Sequence, residues 1–279
     1  MNLRLQWALM GFSAKGKTLL GAGLVIVIIV VVMQLSGSPT PSPGSPPDDG
    51  ETPEGVELTL LTNAGVMIEA GGMRIYIDPV DLPQEYGDYP ADAILITHGH
   101  GDHYQQSTIR MLQKEGTVNV FPEIMEDEIA RHDGTGVVPG DEVSIGSITV
   151  TAYYMYTYSP TGTDPATHPA ESNYTSYIVD IDGFTIFHAG DSKNIPEYEE
   201  LTGTIDVALL PLGPGCQTMA DSEVVDAIRA IEPGYFVPIH FTGRDNDRFV
   251  SRYRTRIVSG TECEICNLDH FTSHTFEIS

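Results

Sequence analysis

From Val56 onward, short apolar runs alternate with Gly, Pro and Asp breaks, and the spacing within each run predicts its element. VELTLLTN, GVMIEA and MRIYIDP read as a strand meander through Pro79, with Gly71-Gly72 as a tight turn. ADAILITH is a further strand. It is followed by a helix over 105–114, the strand VNVFPEI, a short helix near 126–131 and the strand region EVSIGSITVTAYYMY. After a loop rich in Pro, Thr and Gly, SYIVDI and FTIFHAGD form a hairpin about Asp182-Gly183, and IDVALLPLG is the next strand. A helix over 222–231 places Val224, Val225, Ile228 and Ile231 at the helical period, a stripe that reads as core, and GYFVPIHF closes the series. Strands and helices thus alternate in two successive halves. The predicted class is α/β (α+β): an αββα sandwich of two mixed β-sheets, with helices outside and a site at one edge.

The first fifty residues fit neither half. Every residue from Leu19 to Leu35 is apolar, Gly or Gln, and a run of about seventeen is at the short end of what spans a bilayer as a helix. Arg4, Lys15 and Lys17 precede it and no acidic residue does, which places the N-terminus in the cytoplasm and the bulk of the chain outside. The expected organisation is a cytoplasmic segment 1–18, a transmembrane anchor 19–35, a Pro/Ser/Gly-rich linker 36–55 and one folded domain 56–279 held at the cell membrane. A cleaved signal peptide, which would leave the domain secreted, is the alternative. The run exceeds the roughly 7–15 residues of a signal h-region and no A-x-A-like site follows it, although Ser36 and Gly37 are small.

Charge narrows the partners. All 39 acidic residues but only 11 of the 14 basic ones lie beyond the apolar run, giving the outer part a formal −28. Such a surface repels polyanions, so a nucleic-acid substrate is not expected, and it stays soluble in a salty exterior. Of three cysteines, Cys263 and Cys266 form a lone C-x-x-C that offers no zinc ribbon; a local disulfide and two free thiols both remain open, and Cys216 has no evident partner.

THGHGDHY, residues 97–104, carries the chemistry. His98, His100, Asp102 and His103 crowd into six positions directly after an apolar strand, and core packing does not call for so many imidazoles together. These are donors for borderline divalent ions. Strand alternation would aim His98, His100 and Asp102 one way and turn His103 aside, with Gly99 and Gly101 letting the backbone bend close to the ions. Four residues cannot close two metal sites, so later strand ends must contribute. Asp191, His240 and His168 are the candidates; on their own, Asp191 could cap a segment, His240 could be a satisfied core histidine and His168 an ordinary loop histidine.

With these stretches in view, the chain resembles the metallo-β-lactamase superfamily, most of all the metal-dependent hydrolase branch that includes ascorbate-6-phosphate lactonase. The matching stretches are LTNAGVMIEAGGMRIYIDPV, ADAILITHGHGDHY, VVPGDEVSIGSITVTAYYMY, IDGFTIFHAGDS, IDVALLPLG and IEPGYFVPIHF, in family order. The resemblance implies that His98, His100 and His168 hold one metal, Asp102, His103 and His240 the other, and that Asp191 bridges both. Tyr156-Thr157 stands where relatives often have Tyr-Asn. His188 is placed beside the ligands, either supporting them or packing in the core, and His132, His270 and His274 read as surface residues.

Two divalent ions are therefore implied, zinc first, with manganese and iron sharing the same donors. Such a pair lowers the pKa of a shared water until hydroxide is available near neutral pH, with Asp102 and Asp191 orienting it. The expectation is a membrane-tethered hydrolase of a small-molecule ester, lactone or phosphodiester. A lipid phosphodiesterase and a non-catalytic metal-binding module of the same fold are the alternatives.

Overall fold

The computed structural model describes residues 55–159, 165–213 and 215–278. The expected segment 1–18, the apolar run 19–35 and the linker through residue 54 lie outside the described residues; among those described, no helix is long and apolar enough to cross a membrane.

The first half opens with β1 (Val56–Leu60), β2 (Val66–Ala70) and β3 (Met73–Ile77), an antiparallel meander. Gly71 and Gly72 turn it at φ of 58° and 77°, a conformation that favours glycine. β4 (Ala93–Leu95), α1 (Gln106–Leu112), β5 (Val118–Pro122), α2 (Glu126–His132) and β6 (Thr135–Val137) follow, with β3 to β6 parallel.

In the second half, β7 (Glu142–Ile145), β8 (Ile148–Tyr154), β9 (Thr175–Ile181) and β10 (Phe184–His188) pair antiparallel. β11 (Val207–Pro211), α3 (Asp221–Ile231), β12 (Tyr235–Ile239), α4 (Asp245–Val258) and β13 (Glu264–Ile265) continue it with parallel pairing from β10 to β13. β14 (Thr272–Phe276) returns to pair with β1. Two seven-stranded mixed sheets result, ordered β14-β1-β2-β3-β4-β5-β6 and β13-β12-β11-β10-β9-β8-β7.

Alternation along the first sheet divides its side chains between two cores. Val66, Ile68, Ile75, Ile77, Ala93, Leu95 and Val120 join the cluster shared with the second sheet, whereas Met67, Tyr76, Ile94 and Phe121 turn outward to Ile109 and Leu112 of α1. Both faces are therefore apolar, as parallel strands covered by helices require. In α3 the buried Val224, Val225, Ile228 and Ile231 form the expected stripe.

The hydrophobic pattern marked no element after Phe241, where α4, β13 and β14 lie, and none at β6. The reason is dilution: α4 buries only Asn246, Phe249, Tyr253 and Ile257 among charged neighbours, and β14 buries Phe276 alone. His132 is buried rather than superficial, its Nε2 3.1 Å from the Tyr104 hydroxyl and its ring stacked on Phe121. His274 is exposed and His270 half-buried against Phe241. Cys263 and Cys266 are free thiols, with Cys263 buried.

Phe276 fastens the returning strand by reaching Tyr235 at 5.0 Å and Phe184 at 5.8 Å between ring centroids, across to the other sheet. Phe276→Ala is expected to lower the unfolding free energy by about 3 kcal/mol in urea titration. A change below about 1 kcal/mol would mean that β14 lies outside the cooperative unit.

Candidate metal centre

Six of the seven candidate residues follow the C-terminal ends of the parallel strands β4, β10 and β12, and His168 joins them from the loop between β8 and β9. β4 stops at Leu95, and 98–103 is a turn closed by His103 N–H and Tyr104 N–H donating to the His100 carbonyl at 3.0 and 2.8 Å. The expected strand-like alternation is absent. Instead the turn sends His98 and His100 to one cluster and Asp102 and His103 to another. Gly99 and Gly101 have no left-handed φ, so the bend does not depend on them.

His98, His100, His168 and Asp191 form the first cluster and Asp102, His103 and His240 the second, the ligand atoms of each lying within 4.8 Å of one another. Asp191, three residues past the end of β10 and fully buried, faces both. Its Oδ2 lies 3.9 Å from His98 Nε2 and 4.0 Å from His168 Nε2, while Oδ1 lies 3.1 Å from His103 Nε2 and 3.4 Å from His240 Nε2. His168 Nε2 and His100 Nδ1 approach to 3.2 Å, and His240 Nε2 is 3.5 Å from Asp102 Oδ2.

The sequence reading missed the residues that orient these rings. Asp78, buried at the end of β3, accepts from the Thr97 amide at 2.8 Å and from the Thr97 hydroxyl at 2.6 Å. With its proton on Asp78, the Thr97 hydroxyl oxygen accepts from His98 Nδ1–H at 3.0 Å. Asp78 Oδ2 also takes His103 Nδ1–H at 2.7 Å. His98 then presents an Nε2 lone pair to the centre, and His103 does so once its Nε2 proton has been displaced, the tautomer that metal binding requires.

Asn63 holds the other rim. Its Nδ2 donates to the Asp102 carbonyl at 3.1 Å, and its own carbonyl accepts from His240 N–H at 3.0 Å. Thr157 exchanges two hydrogen bonds with His168, through its hydroxyl at 2.9 Å and its amide at 2.8 Å. The Tyr156 hydroxyl is engaged elsewhere, donating to Glu197 at 2.8 Å. His188 is not a ligand: buried and neutral, it donates from Nε2 to the Ala64 carbonyl at 2.8 Å and accepts from Gly190 N–H at 3.2 Å. Backbone strain gathers here, with Asn63, Asp78 and His240 at φ of 58°, 49° and 55°. Gly190 (φ 55°) shares this conformation, which favours glycine, and a Cβ there would fall 2.6 Å from Met155 Sδ and 3.1 Å from Thr97 Cβ.

The electrostatics are divided. Burial drives the His98 pKa well below its ordinary value and pushes His168 down to about 4. Burial opposes the charged form of His103 as well, but Asp191 and Asp78 outweigh it and hold the ring well above the ordinary range. His240 is likewise raised against burial, by Asp102 and Asp191, and hydrogen bonding to His240 is the main reason that Asp102 is lowered. Asp191 is lowered despite its burial, by His103 first.

The residues fit divalent cations. His98, His103 and His240 Nε2 and both oxygens of Asp191 are buried without a hydrogen-bond partner, and neutral imidazoles and carboxylates are the right donors.

Two outcomes follow. Metal binding must displace the proton that Asp191 and Asp78 hold on His103, so affinity should rise as pH climbs through the raised pKa. The same proton stabilises the metal-free protein below the ordinary histidine value near 6.5, and that contribution is lost as pH rises through the folded-state value. The gap between loaded and metal-free melting temperatures should therefore widen from neutral to alkaline pH; a constant gap would contradict this. Asp78→Asn, with folding checked by circular dichroism, should weaken metal affinity about 10- to 100-fold in chelator competition. Unchanged affinity would mean that the rings are oriented by other groups.

Comparison with known proteins agrees with this geometry. The family model described as "Beta-lactamase superfamily domain" matches residues 57–240. A metal-dependent hydrolase of Thermococcus kodakarensis is 33% identical over 214 residues, covering 67% of this chain and 84% of its own. A crystal structure from Parabacteroides distasonis, described as that of a metal-dependent hydrolase, superposes with a TM-score of 0.65 at 29% identity, covering 77% of this chain and 94% of its own. A metallo hydrolase from Ignicoccus hospitalis shares the fold at 21% identity, with a TM-score of 0.65 and coverage of 80% and 99%. With its two facing mixed sheets and a histidine and aspartate cluster at their edge, the chain belongs to the metallo-β-lactamase superfamily, among its metal-dependent hydrolases.

Proposed function

We propose that the chain is a membrane-tethered, binuclear metal-dependent hydrolase acting outside the cell on a small ester, lactone or phosphodiester. The observation that carries this reading is the Asp191 carboxylate, buried, without a hydrogen-bond donor, and presenting one oxygen to each cluster. His98, His100 and His168 would hold one ion, Asp102, His103 and His240 the second, and Asp191 both. Zinc is the first choice for so many imidazoles, with manganese and iron close behind. Such ions supply the Lewis acidity that activates water near neutral pH and polarises a carbonyl or phosphoryl oxygen.

The protein's own groups do the rest. Asp191 is sealed from solvent, whereas the Asp102 side chain is 47% exposed, so Asp102 is the carboxylate positioned to orient an incoming water. Asp78 holds Nδ1–H of His103 directly and that of His98 through Thr97, so that in each ring Nε2 is the nitrogen turned to the centre. The formal −28 beyond the apolar run argues against nucleic acid, and the likeness of the motif stretches to a lactonase branch favours small acyl substrates. The tether rests on the uncharged run 19–35 and the basic residues before it.

Asp191→Ala should reduce bound metal from about two ions per chain to about one or none by elemental analysis, and turnover by about two to four orders of magnitude. Unchanged metal content would show that another residue bridges. The activity itself is tested with the full chain, supplied with zinc, manganese or iron in turn, against chromogenic esters, lactones and phosphodiesters. Absence of turnover with both ions bound would leave a metal-binding module of this fold.

A further inference from the structure

Beside His240 the candidate centre adjoins a cavity of about 580 Å³, a volume suited to a small molecule. His240 and Asn63 line it from the metal-ligand side, Phe241 and Phe249 are among its apolar lining, and α4 contributes Arg248 and Arg252. Two arginines here balance two lining carboxylates, Asp221 and Asp245, in a domain that is otherwise strongly acidic. Five of the 11 basic residues beyond the apolar run fall within 244–256, and Arg244, Arg248, Arg252 and Arg256 recur every fourth residue along one face of α4.

Both carboxylates are compensated. Asp245 pairs with Arg248 and accepts from the Thr242 hydroxyl at 3.1 Å, and Asp221 sits in the first turn of α3, where the helix favours a negative charge. Arg252 is exposed and makes no ion pair among the described residues; its guanidinium lies 5.4 Å over the Tyr253 ring.

We propose that this cavity receives an anionic group, carboxylate or phosphate, carried by the substrate of the adjoining centre, with Arg252 as the contact. The proposal rests on the hydrolytic reading above and narrows its substrates to small anionic esters or lactones. A guanidinium offers paired donors that match either oxyanion. In a domain whose overall field repels anions, an arginine without an ion pair beside a lining that is otherwise neutral is what would let one approach this site.

The test uses the full metal-loaded chain and p-nitrophenyl esters that share one acyl chain and end in methyl (the pentanoate), carboxylate (the glutarate) or phosphonate (the 4-phosphonobutyrate). Arg252→Gln should lower kcat/KM for at least one charged ester about five- to tenfold and change the pentanoate by less than about twofold, with Arg252→Lys, which keeps the charge but not the paired donors, losing less than Arg252→Gln. Whichever charged ester loses more identifies the anion. Equal losses on all esters, or no loss on the charged ones, would overturn the proposal. If the wild type cleaves none of them, ester hydrolysis has failed as a reading, and the anion site is judged by calorimetric titration with glutarate and inorganic phosphate. A Kd weakened about five- to tenfold in Arg252→Gln would support it even then. Equal affinity in the two proteins, or no binding, would overturn it.

Discussion

The buried charge of Asp191 governs this centre. A carboxylate removed from water and given no hydrogen-bond donor is costly to keep unless cationic charge surrounds it, and here four imidazole nitrogens stand within 4.0 Å of its two oxygens. Two of those rings are kept neutral by burial and two are drawn toward the charged form by carboxylates. Hydrogen bonds orient these rings, and two of them, His103 directly and His98 through Thr97, are reached by Asp78. Its single side chain bonds the Thr97 amide, the Thr97 hydroxyl and His103, so the end of β3 sets the tautomers of residues that follow β4. The register of two parallel neighbours thereby becomes a feature of the chemistry.

Much of the fold was legible because its strands are apolar runs bounded by turns with strict backbone demands. The Asp182-Gly183 hairpin is one case: both residues take positive φ, at 52° and 92°, as the Asp-Gly pair predicts. The α3 stripe is another, its spacing surviving intact into the packed helix. What the pattern did not show were elements whose burial is sparse. β6 is three residues long with one of them buried, and β14 is polar except for Phe276, so neither stands out from a loop until its partner strand is in place.

The site divides in the same way. Donor types packed into THGHGDHY could be recognised locally, Asp191 and His240 could be named because each follows an apolar run, and His168 rested on its place in the loop before the SYIVDI hairpin. The direction in which each side chain points was not available from periodicity, since 98–103 is a turn and obeys no strand alternation. Asp78, Asn63 and Thr157 were missed because their role lies in contacts with segments distant in the chain. Asp78 did carry one usable signal: like Asp191, it is a carboxylate standing just past the end of an apolar strand.

The pairing of β1 with β14 also reaches into how the molecule is made. The hydrogen-bonding edge of the first strand of the domain stays open until the last strand arrives, because Val56 finds its partner in Phe276. On a ribosome or a translocation channel, that edge waits through the synthesis of almost everything between them, presenting unpaired amides and carbonyls. When β14 does arrive it brings Thr, Ser and His to the new outer edge, so the strand that completes the sheet also leaves it poorly suited to recruiting a neighbouring chain.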